Sequence, residues 1–208
     1  MTPTAPAKAA RPMPEPEFYS EQARIILAGR EEKSVSSFQE LVRVGLSADA
    51  CHWVALHLPV RYAVWWGLIC VMETKSGPGD ETLVGQVTSW VMEPSEAMQT
   101  RLLNQLWLET PQSPVEYLAK AISWTGPSML PAHLPVSAPN PEHAGRMIAA
   151  AVDLAAAGHA ILQGPEAYLR FLEFAAAVDN GTLHWGSEPA TAAKPRQNTK
   201  PQGLLPGL

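Results

Sequence analysis

The sequence predicts an all-α protein, and three observations predict it. Eleven consecutive residues, Tyr62 to Met72, carry no charge, with Pro59 and Arg61 just before them and Glu73 and Lys75 just after. Apolar residues elsewhere in the chain recur at helical spacing. No four-residue run of β-branched or aromatic alternation is flanked by turn dipeptides, so strands have no home. A helix apolar on all sides has to be surrounded by protein or lipid, and eleven residues at 1.5 Å each reach only about half of a bilayer's hydrocarbon thickness. The run therefore predicts a buried central helix and no membrane span, inside an irregular orthogonal helical bundle. Proline and glycine separate the helices at roughly even intervals, which keeps HEAT-like stacked helical hairpins as the alternative. No residue-level self-similarity supports it.

The elements follow in order. Tyr19 to Ala28 reads as a short first helix ended by Gly29. Ser37 and Glu40 stand at capping-box spacing ahead of Leu41, Val42 and Val44, with Gly45 as the stop. Ser47 is expected to cap the next helix, whose apolar members Cys51, Trp53, Val54, Leu56 and Leu58 lead to Pro59. A proline there breaks the ladder or opens a new helix at its first turn, and the second option gives a helix over Val60 to Thr74. Asp80 is placed to cap a helix carrying Leu83, Val84, Val87, Trp90 and Val91.

Glu93-Pro94 marks the next boundary, after which Met98, Leu102, Leu106 and Trp107 share one helical face. Ser113-Pro-Val-Glu116 is a second capping box, with proline at the first helical position. Pro141 to Ala157 places Met147, Ile148, Ala151, Val152 and Ala155 on one face, with Gly158 as the stop, and Gly164-Pro-Glu166 opens a last helix ended by Asn180-Gly181.

At 208 residues the chain suits one domain. Many of its 20 prolines fall in three places: the N-terminal stretch, a connector over 127–141, and the segment after Glu188. Residues 1–17 and 187–208 read as disordered tails, because they hold too little apolar surface to offset ordering entropy. Residues 18–186 form the predicted helical domain.

Fifteen Lys and Arg against 20 Asp and Glu give a formal net charge of −5, with the basic residues scattered. That argues against a nucleic-acid groove and against a polybasic membrane patch. The first residues lack the apolar stretch of a secretory signal, so the expected location is cytoplasmic. Cys51 and Cys70 lie in apolar helical segments outside any C-x-x-C spacing and read as buried, reduced thiols.

No chemistry announces itself. His52 and His57 are five apart, about 140° around a helix, and His133, His143, His159 and His184 have no partner at ligand spacing. Ser128 follows Gly126 but lacks the second glycine of a nucleophile elbow. Phosphate-binding glycine motifs are absent. Asp80, Glu81, Glu96 and Glu166 fall in helix first turns, where the macrodipole accounts for them. No catalytic residue, metal or cofactor is expected.

Seven tryptophans are many for such a chain. Trp53, Trp66, Trp90 and Trp107 sit on apolar faces and are expected in the core. Trp65 and Trp66 point about 100° apart, and Arg61, one turn before Trp65, is in reach to stack on it. Arg61 and Trp65 are the candidate partner-binding pair.

The run Leu58-Pro59-Val60-Arg61-Tyr62-Ala63-Val64-Trp65-Trp66, the step Trp90-Val91-Met92-Glu93-Pro94-Ser95-Glu96, and the connector Leu130-Pro131 to Leu134-Pro135 before an Ala-rich helix resemble an uncharacterised bacterial family of small helical proteins of unknown function, over about residues 35–160. The resemblance implies an accessory role, since some members occur near type VI secretion and forkhead-associated-domain components. It carries over no catalytic residue.

The function expected is that of a non-catalytic accessory or adaptor protein that binds another protein, as a type VI secretion component or effector. The alternative is a small-ligand-binding protein or enzyme with an apolar pocket beside the central helix, where Tyr62, His57 or Cys70 supplies the polar handle. A homo-oligomeric structural subunit is a third reading that the sequence does not separate from the first.

Overall fold

The structure is a computed structural model that describes residues 18–28, 35–75, 79–106, 110–125 and 140–185. The predicted tails, residues 127–139 of the connector, Gly186 and Trp107 lie outside the described residues. Nine helices are described: α1 (Glu21–Leu27), α2 (Val35–Arg43), α3 (Ser47–His57), α4 (Val60–Met72), α5 (Glu81–Met92), α6 (Glu96–Leu106), α7 (Pro114–Ser123), α8 (Pro141–Ala157) and α9 (Pro165–Asp179). The nearest thing to a sheet among the described residues is an isolated antiparallel bridge between Thr74 and His159. The fold is all-α.

The uncharged run forms α4, and its neighbours enclose it. Ala63, Val64, Trp66, Gly67, Leu68, Cys70 and Val71 are buried, with α3, α5, α7, α8 and α9 all packed against the helix. Trp66 is fully buried, and its indole N–H donates to the Phe171 carbonyl of α9 at 2.8 Å. That bond offsets the cost of taking the donor out of water. Among the described residues no helix is long and apolar enough to cross a membrane.

The Ala-rich α8 shares the centre, lying against α3, α4 and α7. Small side chains set how closely it approaches. A Cβ on Gly145 would fall 2.7 Å from Leu56 Cδ2 and 3.0 Å from the Ala55 carbonyl oxygen, so only glycine lets α8 lie this near α3. Gly67 on α4 is also closely approached, a Cβ there standing 2.8 Å from Leu118 Cδ2, the end of a side chain that can shift.

Several caps match the sequence reading. Asp80 accepts from the Thr82 and Leu83 amides, Gly158 follows α8, and Gly45 turns the chain after α2 at φ +82°. Others differ. α2 begins at Val35, so Ser37 lies inside the helix and is buried instead of capping it. Leu46 takes the cap position of α3, and the Ser47 hydroxyl turns to the Pro165 carbonyl at 3.5 Å. At α7, Ser113 makes no side-chain cap bond. Its partner Glu116 reaches back one residue further and accepts from the Gln112 amide at 2.6 Å. The α6 cap is Ser95, whose hydroxyl accepts from the Met98 amide at 3.3 Å.

Candidate functional site

Arg61 occupies the second position of α4, beside the C-terminal end of α5. The last carbonyls of a helix lack intrahelical donors and carry the negative end of its dipole. Arg61 satisfies two of them: its Nε donates to the Val91 carbonyl and Nη2 to the Met92 carbonyl, each at 2.7 Å. Its guanidinium carbon lies 4.2 Å from the centroid of the Trp185 ring. The Tyr62 ring meets Trp185 edge-on at 5.0 Å.

The segment after α9 is held in place for this. Asn180 accepts from the Thr182 amide at 2.9 Å, Gly181 turns the chain at φ +77°, and the Leu183 amide donates to the Ala177 carbonyl at 2.9 Å. Trp65 ties the same segment down, donating from its indole nitrogen to the Leu183 carbonyl at 3.4 Å.

Arg61 therefore stacks on Trp185, not on the predicted Trp65. The free carbonyls of α5 draw the guanidinium sideways, and the returning C-terminal segment covers it. Arg61, Tyr62, Trp65 and Trp185 are all half-buried, and Met92 beside them is 56% exposed.

A second constellation escaped the sequence reading. His52 of α3 sets Nε2 against the Asp153 carboxylate of α8, at 3.0 and 2.9 Å from its two oxygens. Tyr168 of α9 donates its hydroxyl to Asp153 Oδ1 at 2.9 Å. The other ring nitrogen, Nδ1, lies 2.9 Å from the Phe18 carbonyl. Burial pulls the His52 pKa down, but the hydrogen bond and charge of Asp153, the Phe18 carbonyl and Asp49 together outweigh it and leave it raised. Burial first, then the Asp153 charge and hydrogen bond, push the Tyr168 hydroxyl up. Next to it the buried Cys51 thiol, also pushed up by burial and by Asp153, points at the Tyr168 carbonyl at 3.6 Å.

The cluster joins α3, α8 and α9 around one carboxylate. His52 lies 101 residues before Asp153 and Tyr168 lies 15 after it, on three different helices, so no local motif announces them. The available signal was Asp153, the charge in the otherwise apolar run Met147 to Ala157.

The remaining polar candidates serve packing. His57 donates from Nδ1 to the Trp53 carbonyl at 2.7 Å and stacks on the Trp53 ring at 4.1 Å. Cys70 is fully buried. His159 accepts at Nδ1 from the Ile161 and Leu162 amides, each at 3.1 Å, which organises the turn between α8 and α9. Among the described residues no three His, Cys, Asp or Glu gather as a metal-holding group.

Residues 37–179 match DUF6931, a family of unknown function, and the chain belongs to that family. No curated protein and no solved structure matches it.

Proposed function

We propose that this protein is a non-catalytic accessory or adaptor that binds another protein through the face built by Arg61, Tyr62, Trp65 and Trp185, with Met92 at its edge. The observation that carries the reading is the Arg61–Trp185 stack. Arginine, tyrosine and tryptophan supply the residues that dominate binding energy at protein interfaces. Here Arg61 and Trp65 are already fixed by bonds to the Val91, Met92 and Leu183 carbonyls, so little of their side-chain entropy is lost on binding.

The resemblance of the Trp65-Trp66 and Trp90-to-Glu96 runs to a family of which some members occur near type VI secretion components supports placing the partner in such a machine, in the cytoplasm. A photo-crosslinking residue at position 92, in the source organism, tests this against one at Ile161. Ile161 is 85% exposed and lies at the other end of α4, beside the Ala160 amide that donates to the Glu73 carbonyl. A reproducible adduct from position 92 and none from 161, with a secretion component in it, is the expected result. Adducts from 161 only would overturn the face, and a partner from another system would overturn the secretion assignment.

A further inference from the structure

We infer that His52 is a proton-operated clasp that fastens the N-terminal segment Phe18–Ala28 to the bundle and loosens it when the imidazolium loses its proton. Both ring nitrogens face acceptors: Nδ1 the Phe18 carbonyl at 2.9 Å, and Nε2 the Asp153 carboxylate at 2.9 and 3.0 Å. A carbonyl only accepts, and so does an ionised carboxylate. Each nitrogen must then carry a proton, and only the imidazolium has two.

A neutral ring keeps one. The carboxylate is the stronger acceptor and holds it at Nε2, so the Nδ1 lone pair is left facing the carbonyl oxygen of Phe18. Attraction at that point becomes repulsion.

The acidic groups around the ring favour its charged form, against the cost of burial. Asp153 from α8 and Asp49 from α3 both favour the charged ring. Tyr168 from α9 donates to Asp153 and keeps its carboxylate in place. Arg146 of α8 stands over the Phe18 ring, 5.4 Å from its centroid, and pairs with Glu142. The Phe18 and Tyr19 rings lie 4.9 and 6.4 Å from the imidazole.

Opening is local. Other holds act on the same segment: Ser20 bonds Asp49 through its amide and its hydroxyl, each at 2.8 Å, and Tyr19 and Ala23 are buried. The clasp thus modulates how often the segment lifts, without unfolding the domain.

The test follows amide exchange in residues 18–28 of the full chain against pH, corrected for intrinsic exchange, alongside the NMR titration of the His52 ring. Protection should fall about tenfold, the worth of one charge-assisted bond, with the midpoint of the ring titration, while α4 stays protected. Asp153→Asn should move that midpoint to lower pH, and His52→Gln should abolish the step. Protection that does not change across the ring's titration would overturn the clasp, as would a step that survives in His52→Gln. If a variant fails to fold, the wild-type comparison of the two midpoints decides alone.

Discussion

The guanidinium of Arg61 lies 4.2 Å over the ring of Trp185 while its nitrogens close the C-terminal end of α5. One side chain from the start of the central helix thus joins α5 to the segment that follows α9. Arg61→Ala should lower stability by about 1–3 kcal/mol, the scale of two charge-assisted bonds in a half-exposed setting together with a stacked cation. Arg61→Lys should recover only part of this, because an ammonium cannot span two carbonyls in the planar geometry of a guanidinium. Urea unfolding of the three proteins measures both.

Two glycines give opposite expectations for the same substitution. Gly145→Ala places a methyl group against the Ala55 carbonyl and Leu56 at the α3–α8 contact, and should cost about 1–3 kcal/mol. Gly85 lies exposed within α5 with nothing within 4 Å of its would-be Cβ, so Gly85→Ala should stabilise by about 0.5–1 kcal/mol through helix propensity alone. Thermal melts of the pair check the sign of each.

Stability should depend on pH through His52. Its folded pKa is raised above 6.5, so the contribution is full below the unfolded value and is lost as pH rises through the folded one. The urea midpoint should therefore fall across a window that opens near 6.5, and the fall should flatten in His52→Gln.

Cys51 and Cys70 are fully buried, and burial pushes both thiols up. Neither should react with an aromatic disulfide reagent in the native state. Labelling should proceed at the rate of global opening and become immediate in denaturant, which a stopped-time absorbance assay reads directly.

The helices were legible where composition and spacing act locally. The uncharged stretch of α4, Asp80 ahead of α5, and the proline openings of α7, α8 and α9 are local signals, and the structure follows them. Caps were less legible where tertiary packing competes: Ser47 turns to the Pro165 carbonyl, 118 residues away, instead of capping its own helix. The site was legible only in part. One-turn spacing brought Arg61 to notice but offered Trp65 as its stacking partner, because nothing local says that Trp185 returns from the far end of the chain. Of the His52–Asp153–Tyr168 cluster only the lone charge of Asp153 shows locally, because the packing of three helices assembles the rest.

The most direct test of the proposed recognition face is the affinity of the crosslinked partner for wild type, Trp185→Ala and Leu169→Ala, the last a control at an exposed residue of α9. Trp185→Ala should weaken binding at least about tenfold, as loss of an interface anchor does, while unfolding stays cooperative and Leu169→Ala binds as wild type does. Unchanged binding by a folded Trp185→Ala protein would contradict the account.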